Sequence, residues 1–440
     1  MRKVAAIAAD PAAPAFKRFS SPLGEHVLIV SHSRVFDLSD ELARDWDADP
    51  VAASHLALVL AEQSPGEAPL SDVILPTAQS LSLNVSSACN LSCGYCYADR
   101  GGFGGAQSKR MTPEVALAAV DSLLAAADPK APVTIGFLGG EPLLNRALVH
   151  KVVAQAESAG SALGLDVRFS MTSNGTLLTE ADIAMMRDRR FALTVSVDGD
   201  GDVHDLQRPT IRGKGTFAEL AKRLAPLLTD PGKAQVAARM TVRAGRIDLT
   251  RRVDAVLGIG FSEVGVSPLR VSRDGSELND SDWPHYLAEL IALSRRELAQ
   301  AITGNRIRLT NFAVALKRIH AGASSPYPCG AGGGYFSVAA EGKWYACHRA
   351  IGDDAFALGD NGKLDEQRRQ AFLVERHVHS QTDCRSCWAR YLCSGTCHQE
   401  APSRTGAGCD FIRDWLNFCL AAYCELSSAR PDYFGIHVVH

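Results

Sequence analysis

Cys89, Cys93 and Cys96 stand in a C-x3-C-x2-C spacing that brings three thiols onto one loop, close enough together to hold a single metal centre. Having three ligands rather than four narrows the chemistry. A structural zinc site takes four ligands and is closed, whereas a [4Fe–4S] cluster held by three thiolates keeps one iron open. A zinc loop completed by a distant residue, or plain core cysteines, are the alternatives at this point. The next cysteine is Cys329, and nine of the chain's 12 lie between it and Cys424. Thiols in a reducing compartment stay unpaired, so clustering of this kind points to metal or catalysis rather than disulfides. The second constellation runs Cys329-x12-Gly342-x4-Cys347, then Cys384-x2-Cys387-x5-Cys393-x3-Cys397, then Cys409. Read alone, it could also be a pair of zinc ribbons on a binding protein. Cys419 and Cys424 fall at helical spacing near the end and read as packed small hydrophobes.

The composition sets the background for these sites. The chain has 440 residues, 46% hydrophobic and 22% charged, enough to bury one large core or two to three modest ones. With 46 Lys and Arg against 49 Asp and Glu, the net charge is −3 and no long run of either sign occurs. A strongly electrostatic nucleic-acid binder is thereby excluded as the default reading, and no nucleic-acid partner is expected. No apolar stretch approaches the roughly 18–20 residues that cross a bilayer. The first residues also lack the apolar run of a signal peptide, so the expected location is the cytoplasm, with no membrane partner.

Residues 1–78 read as a small α/β segment. Strands are expected at His26–Val30 and Ser33–Asp37, and helices over Asp40–Asp47 and Ala52–Gln63. This segment serves either as a cap on the rest of the chain or as a docking module that adds a peptide strand. From Leu81 onward, short apolar strands alternate with amphipathic helices. The strands are Leu81–Val85, Val133–Leu138, Val167–Met171, Ala192–Val197, Val236–Val242 and Glu263–Val266, and the helices include Thr112–Ala126, Arg146–Ala159, Glu180–Arg187 and Thr216–Leu228. Six β-then-α units predict a parallel sheet, and, if it curls, a partial (β/α)6 TIM-like barrel whose chemistry sits at the strands' C-terminal ends. The polar motifs fall at those ends: the three-cysteine loop, Gly139-Gly140-Glu141-Pro142, Ser173-Asn174-Gly175 and Ser196-Val-Asp198-Gly. Beyond residue 270 come helical segments such as Asp282–Leu298, the cysteine-rich loops, and a closing helix over Cys409–Arg430. Chain division is therefore expected at 1–78, 79–310 and 311–440.

The C-x3-C-x2-C loop with Tyr95 before its last cysteine resembles the hallmark of the radical SAM superfamily, and the order of motifs after it continues the likeness. Gly139 to Pro142 resembles the family's GGEP motif, which implies that Glu141 and nearby backbone hold the methionine amino group of S-adenosylmethionine. Ser173 and Asn174 resemble the TNG loop. Ser196, Asp198, His204-Asp205 and Arg208 resemble the S-x-D-G…HD…R stretch, which implies a place for Ser196, Asp198 and Arg208 around the cofactor's ribose or carboxylate. The C-terminal cysteines resemble the SPASM extension of peptide-modifying members. That likeness implies two auxiliary [4Fe–4S] clusters beside the S-adenosylmethionine-binding one, three in all. Cys384, Cys387, Cys393 and Cys409 would hold the outer auxiliary cluster, and Cys329, Cys347 and Cys397 the inner one.

In fully ligated relatives a further cysteine follows the first by a few residues, yet Gly330 to Ser337 contain none. The inner cluster is then expected to keep an open iron, or to take His348 or a substrate group. The family likeness implies a peptide or protein substrate and an electron donor such as flavodoxin or ferredoxin. It points to a maturase that forms a C–C or thioether cross-link, with the tail weakly resembling the quinohemoprotein amine dehydrogenase maturation type. A peptide oxidase or epimerase is the alternative, and the missing cysteine argues against the formylglycine-forming class. The general base is not identified from the sequence.

Overall fold

The computed structural model describes residues 2–7, 10, 13–49, 51, 55–56, 59–60, 72–102, 109–272, 274–322, 324–360 and 362–435. The expected helix over Ala52–Gln63 falls largely outside these residues. Two compact units interleave along the chain. One joins residues 1–2, 74–278 and 330–373, and the other joins 3–73, 279–329 and 374–440.

The first unit is built on six parallel strands: β1 (Ser80–Ser86), β2 (Val133–Gly139), β3 (Val167–Ser173), β4 (Phe191–Ser196), β5 (Gln235–Val242) and β6 (Val264–Pro268). They are hydrogen-bonded in sequential order. Between them run α1 (Pro113–Ala126), α2 (Arg146–Ala162), α3 (Glu180–Arg187), α4 (Gly201–Gln207), α5 (Phe217–Thr229) and α6 (Leu249–Gly258). The expected strands and helices are all present, shifted at their ends by a few residues at most.

The sheet has one apolar and one polar face because side chains alternate along each strand. In register, Leu81, Ile135, Phe169 and Phe191 form one row, all buried. The rings of Phe137, Phe169 and Phe191 stack with centroids 6.1–6.5 Å apart. The adjacent row on the opposite face reads Ser82, Gly136, Ser170, Ala192, Gln235. A sheet that turns a Ser/Gly/Ala/Gln row inward leaves a polar lumen, suited to a substrate rather than to a filled apolar core.

Beside β1 lies a strand the alternation did not show. Tyr335–Val338 pairs parallel to β1 in the register Tyr335 with Ser80 and Ser337 with Ser82, and short antiparallel strands follow it (Trp344–Tyr345, Ala357–Asp360 and Lys363–Leu364). Four residues preceded by three glycines carry too little pattern to register as a strand from sequence.

In the second unit, Phe16–Ser21, Gly24–Ile29 and Arg34–Leu38 form an antiparallel sheet; the latter two were expected and the first was not. Helix Asp40–Ala48 packs on the sheet through Ala43 and Trp46 against Val27, Ile29 and Leu38. Val30 continues into a core with Val378 and Tyr391, so the opening segment shares apolar packing with the cysteine-rich region. Helices Asp282–Ile302, Thr310–His320 and Gly406–Ala429 pack through Trp283, Tyr286, Phe312, Phe411 and Trp415. Cys419 and Cys424 are buried on the last of these, as hydrophobes would be.

Candidate active site and auxiliary metal centre

The three-cysteine loop leaves the end of β1 and is held in place by backbone. The Gly140 N–H donates to Ser86 O and the Glu141 N–H to Ala88 O, each at 2.8 Å. Further along, the Ser92 N–H donates to Pro209 O at 2.8 Å and Leu91 bridges Thr210. The paired glycines make this approach possible. A Cβ on Gly140 would stand 2.3 Å from Ala88 O, and one on Gly139, whose φ is +141°, 2.3 Å from Ser86 O. Gly139-Gly140 is therefore a close-packing device for the loop, and no side chain fits there.

Glu141 is fully buried, and its carboxylate accepts from Leu143 N (3.1 Å), Ser173 Oγ (2.9 Å) and Asn174 N (2.8 Å). Burial raises its pKa, against the pull of these donors. Both oxygens are thus engaged in tying the end of β2 to the end of β3. Pro142 opens the short turn that follows. Asn174 in turn donates to Asn90 Oδ1 at 2.9 Å and to Cys89 Sγ at 3.8 Å.

On the other side of the loop, Tyr95, Asp198 and Arg208 form a cluster. The Tyr95 hydroxyl donates to Asp198 and accepts from Arg208, whose Nη1 is 3.7 Å from Asp198 Oδ2. Asp198 Oδ1 accepts from Thr241 N at 2.9 Å. Arg208 Nε is buried with no partner among the described residues, beside the thiol loop. Ser196 ends β4 on the lumen face, opposite Arg239. The three thiols are partly buried. Burial pushes Cys89 up to about 12 and also raises Cys93, which the Arg208 cation opposes, so proton release must accompany metal binding.

Further groups hold this cluster in place, and of these Arg252 and Arg243 carried no sequence signal while His204 belongs to the HD pair. Arg252, 1% exposed, donates to Asp198 O (2.8 Å), Thr241 O (2.8 Å) and Arg246 O (2.6 Å) from three nitrogens, locking the loops after β4 and β5. His204, fully buried, accepts from Asp198 N at Nδ1 and lies 3.1 Å from Thr216 Oγ1. The Thr216 hydroxyl is committed to Arg208 O, so the His204 ring must donate from Nε2 and stay neutral. Burial holds its pKa down to about 4. Arg243 stacks with Arg208 on Tyr95 and pairs with Asp274 at 2.9 Å.

The cysteine-rich region separates into two groups. Cys384, Cys387, Cys393 and Cys409 line one cavity of about 320 Å³ in the second unit. Cys329 and Cys397 belong to the second unit and Cys347 to the first. Next to Cys347, His348 Nδ1 is 2.8 Å from the Tyr335 hydroxyl, which is 2.7 Å from Ser82 Oγ on the lumen face. Among the described residues no three His, Cys, Asp or Glu side chains converge tightly enough for a single metal ion.

Residues 83–226 match the radical SAM superfamily. That segment is a radical SAM domain. The chain is 24% identical to the cysteine-type anaerobic sulfatase-maturating enzyme of Clostridium perfringens (strain 13 / Type A), over 80% of this chain and 95% of that protein. The serine-type enzyme of Klebsiella aerogenes is 23% identical over 71% and 78% respectively. Among solved structures, native anSMEcpe with bound AdoMet superposes with TM-score 0.67 at 20% identity, covering 79% of this chain and 99% of that one. Streptococcus suis SuiB bound to S-adenosylmethionine gives 0.53 at 13%, covering 90% and 97%. At these identities the structural likeness shows the fold: a parallel-strand partial barrel.

The family's cofactors are S-adenosylmethionine and a [4Fe–4S] cluster, and the cysteine-rich C-terminus fits auxiliary clusters. Three thiols on one loop, an orphaned buried guanidinium nitrogen beside them and four thiols around a separate cavity suit those groups. Among the described residues, no helix is long and apolar enough to cross a membrane.

Proposed function

We propose that the enzyme is a radical SAM maturase that removes hydrogen from a side chain of a ribosomal peptide or protein and closes a C–C or thioether cross-link. Cys89, Cys93 and Cys96 hold the S-adenosylmethionine-binding cluster. Tyr95, Ser196, Asp198 and Arg208 orient the cofactor, and Gly139 to Pro142 with Ser173 and Asn174 hold the loop against it. When bound and reduced, S-adenosylmethionine would supply the radical chemistry needed to remove hydrogen from an unactivated carbon. The chain contributes the polar lumen that receives the substrate, the loops that exclude water and the positions of the reacting groups.

The observation that carries this reading is the separation of three thiols on the β1 loop from four thiols around their own cavity. Cross-linking removes two hydrogens. One leaves as an atom, and the other must leave as a proton and an electron, so a second redox centre has a use. Cys329, Cys347 and Cys397 would hold an inner cluster that keeps an open iron or takes His348 or a substrate group as its fourth ligand, and a flavodoxin or ferredoxin is the electron donor the reading requires, in the cytoplasm.

A second reading, oxidation of a Ser or Cys side chain to an aldehyde, is favoured by the names of the sulfatase-maturating relatives, against the sequence argument from the missing cysteine. Anaerobic turnover with the candidate peptide followed by mass spectrometry separates the two. A cross-link loses two hydrogens, resists hydroxylamine and suppresses fragmentation between the joined residues. An aldehyde is trapped by hydroxylamine, and an unchanged mass indicates epimerisation. Cys93→Ala should abolish 5′-deoxyadenosine formation. Zinc without sulfide in the reconstituted protein would return the zinc-ribbon binding protein instead.

A further inference from the structure

Three arginines, Arg390, Arg404 and Arg413, line the four-cysteine cavity against a single lining carboxylate, Asp383. Arg390 is turned to backbone, donating to Pro14 O and Cys387 O. The other two face sulfur. Arg404 Nη1 lies 3.1 Å from Cys384 Sγ, 3.0 Å from Gly395 O and 3.2 Å from Gln381 Oε1. Arg413 lines the cavity beside Cys387, whose sulfur favours its cation, while pairing with Asp410. The loop between Cys393 and Cys397 completes the set. Ser394, Gly395 and Thr396 have φ of +59°, +86° and +67°, and Gly395 and Thr396 line the cavity with Cys393. The change from helical Cys393 to left-handed Ser394 is the right-then-left pattern that turns successive backbone N–H groups toward one anion.

We propose that Arg404 and Arg413 are positioning residues of the outer auxiliary cluster, fixing the Cys384 and Cys387 sulfurs and raising the cluster's reduction potential. This rests on the assignment of Cys384, Cys387, Cys393 and Cys409 to one cluster. A guanidinium stays charged at any working pH, and its hydrogen bonds to anionic sulfur strengthen as the cluster becomes more negative on reduction, so the reduced state gains more than the oxidised one. Arg404 also joins Gln381, Cys384 and the left-handed loop through a single nitrogen, and removing it leaves Gly395 O without that donor.

The test uses the full chain, reconstituted anaerobically and free of S-adenosylmethionine and peptide, with iron and sulfide counted and the clusters titrated by EPR. Arg404→Gln and Arg413→Gln should keep the wild-type iron content while one midpoint moves to more negative potential. The signal perturbed by S-adenosylmethionine should keep its own midpoint. Arg404→Lys, which retains charge but loses the planar fork, should titrate between wild type and Arg404→Gln. If Arg404→Gln fails to load, Arg413→Gln decides, since it holds no loop. A loaded variant of either arginine with all midpoints unmoved overturns the inference. Failure of the underlying assignment reads differently: Cys387→Ala would then keep the full wild-type iron.

Discussion

Gly140→Ala is the smallest change that should disconnect the first cluster. The new methyl would stand 2.3 Å from Ala88 O, 2.6 Å from Ala88 C and 2.8 Å from Arg100 O, where ordinary contact begins at 3.4 Å. All three are backbone atoms, so no side chain can swing aside, and the loop must retreat by about 1 Å. Retreat breaks the 2.8 Å bonds from Gly140 N to Ser86 O and from Glu141 N to Ala88 O. Overpacking costs about 1–3 kcal/mol, and two backbone hydrogen bonds contribute about 0.5–1.5 kcal/mol each. The local cost is then roughly 2–6 kcal/mol, against about 5–15 kcal/mol for the stability of a typical domain.

The barrel should therefore stay folded while the loop carrying Cys89 is displaced. Gly164→Ala is the control: its φ is +68° but nothing lies within 4 Å of the new Cβ, so only the left-handed penalty of about 1–2 kcal/mol applies. Iron and sulfide counts after anaerobic reconstitution, with 5′-deoxyadenosine formation, read the outcome. Gly140→Ala should lose about a third of the iron, the share of one cluster in three, and all cleavage of S-adenosylmethionine. Gly164→Ala should keep both. A Gly140→Ala protein with full iron and wild-type cleavage refutes the close-packing argument.

Tyr95→Phe removes the hydroxyl between Asp198 and Arg208 and should weaken S-adenosylmethionine binding roughly 10- to 100-fold with iron content unchanged, measured by anaerobic calorimetry. Arg252→Met leaves three loop carbonyls without their donor and should destabilise the first unit by about 3–5 kcal/mol, read from denaturant midpoints. His204 gives a pH dependence of definite sign. Burial lowers its folded pKa to about 4, so between there and about 6.5 only the unfolded chain takes the proton. Its contribution is full above about pH 6.5 and falls by roughly 1.4 kcal/mol per pH unit below that. His204→Gln should reduce the slope of stability between pH 5 and 6.5 by about one proton, and an unchanged slope would remove the locked-tautomer reading.

How far the site was legible depended on the distance over which its chemistry is encoded. Cysteine spacing, the glycine pair and the Ser-Val-Asp-Gly turn are local, and the alternation of Leu81, Leu83 and Val85 with Ser82 and Asn84 announces a two-faced strand. Arg252 and Thr216 are different: their roles come from carbonyls and rings that only folding brings near, so no spacing marks them. Tyr335–Val338 was missed because four residues cannot establish a period. The partners of Glu141 were only partly legible, since two of its three donors, Ser173 Oγ and Asn174 N, lie at the end of a neighbouring strand.

The inner face of the barrel bears on the substrate more directly than any motif. Ser82, Gly136, Ser170, Ala192 and Gln235 form one row across it, and Thr194, Ser196, Arg239 and Thr241 line the strands toward their C-terminal ends. A cavity of about 790 Å³ opens among Thr134, Arg168, Ser170, Ala192 and Gln235 at the opposite ends of the strands. Apolar side chains could have filled this face at a gain of about 25 cal/mol per Å² buried, so a polar lumen forgoes stability that the outer face shows the sequence can supply. What such a lining offers instead is hydrogen bonding to an extended backbone. That suits a peptide segment drawn to the β1 loop better than a small apolar ligand, and makes the lumen face, with Tyr335 and His348 at its edge, the surface on which substrate choice should be mapped.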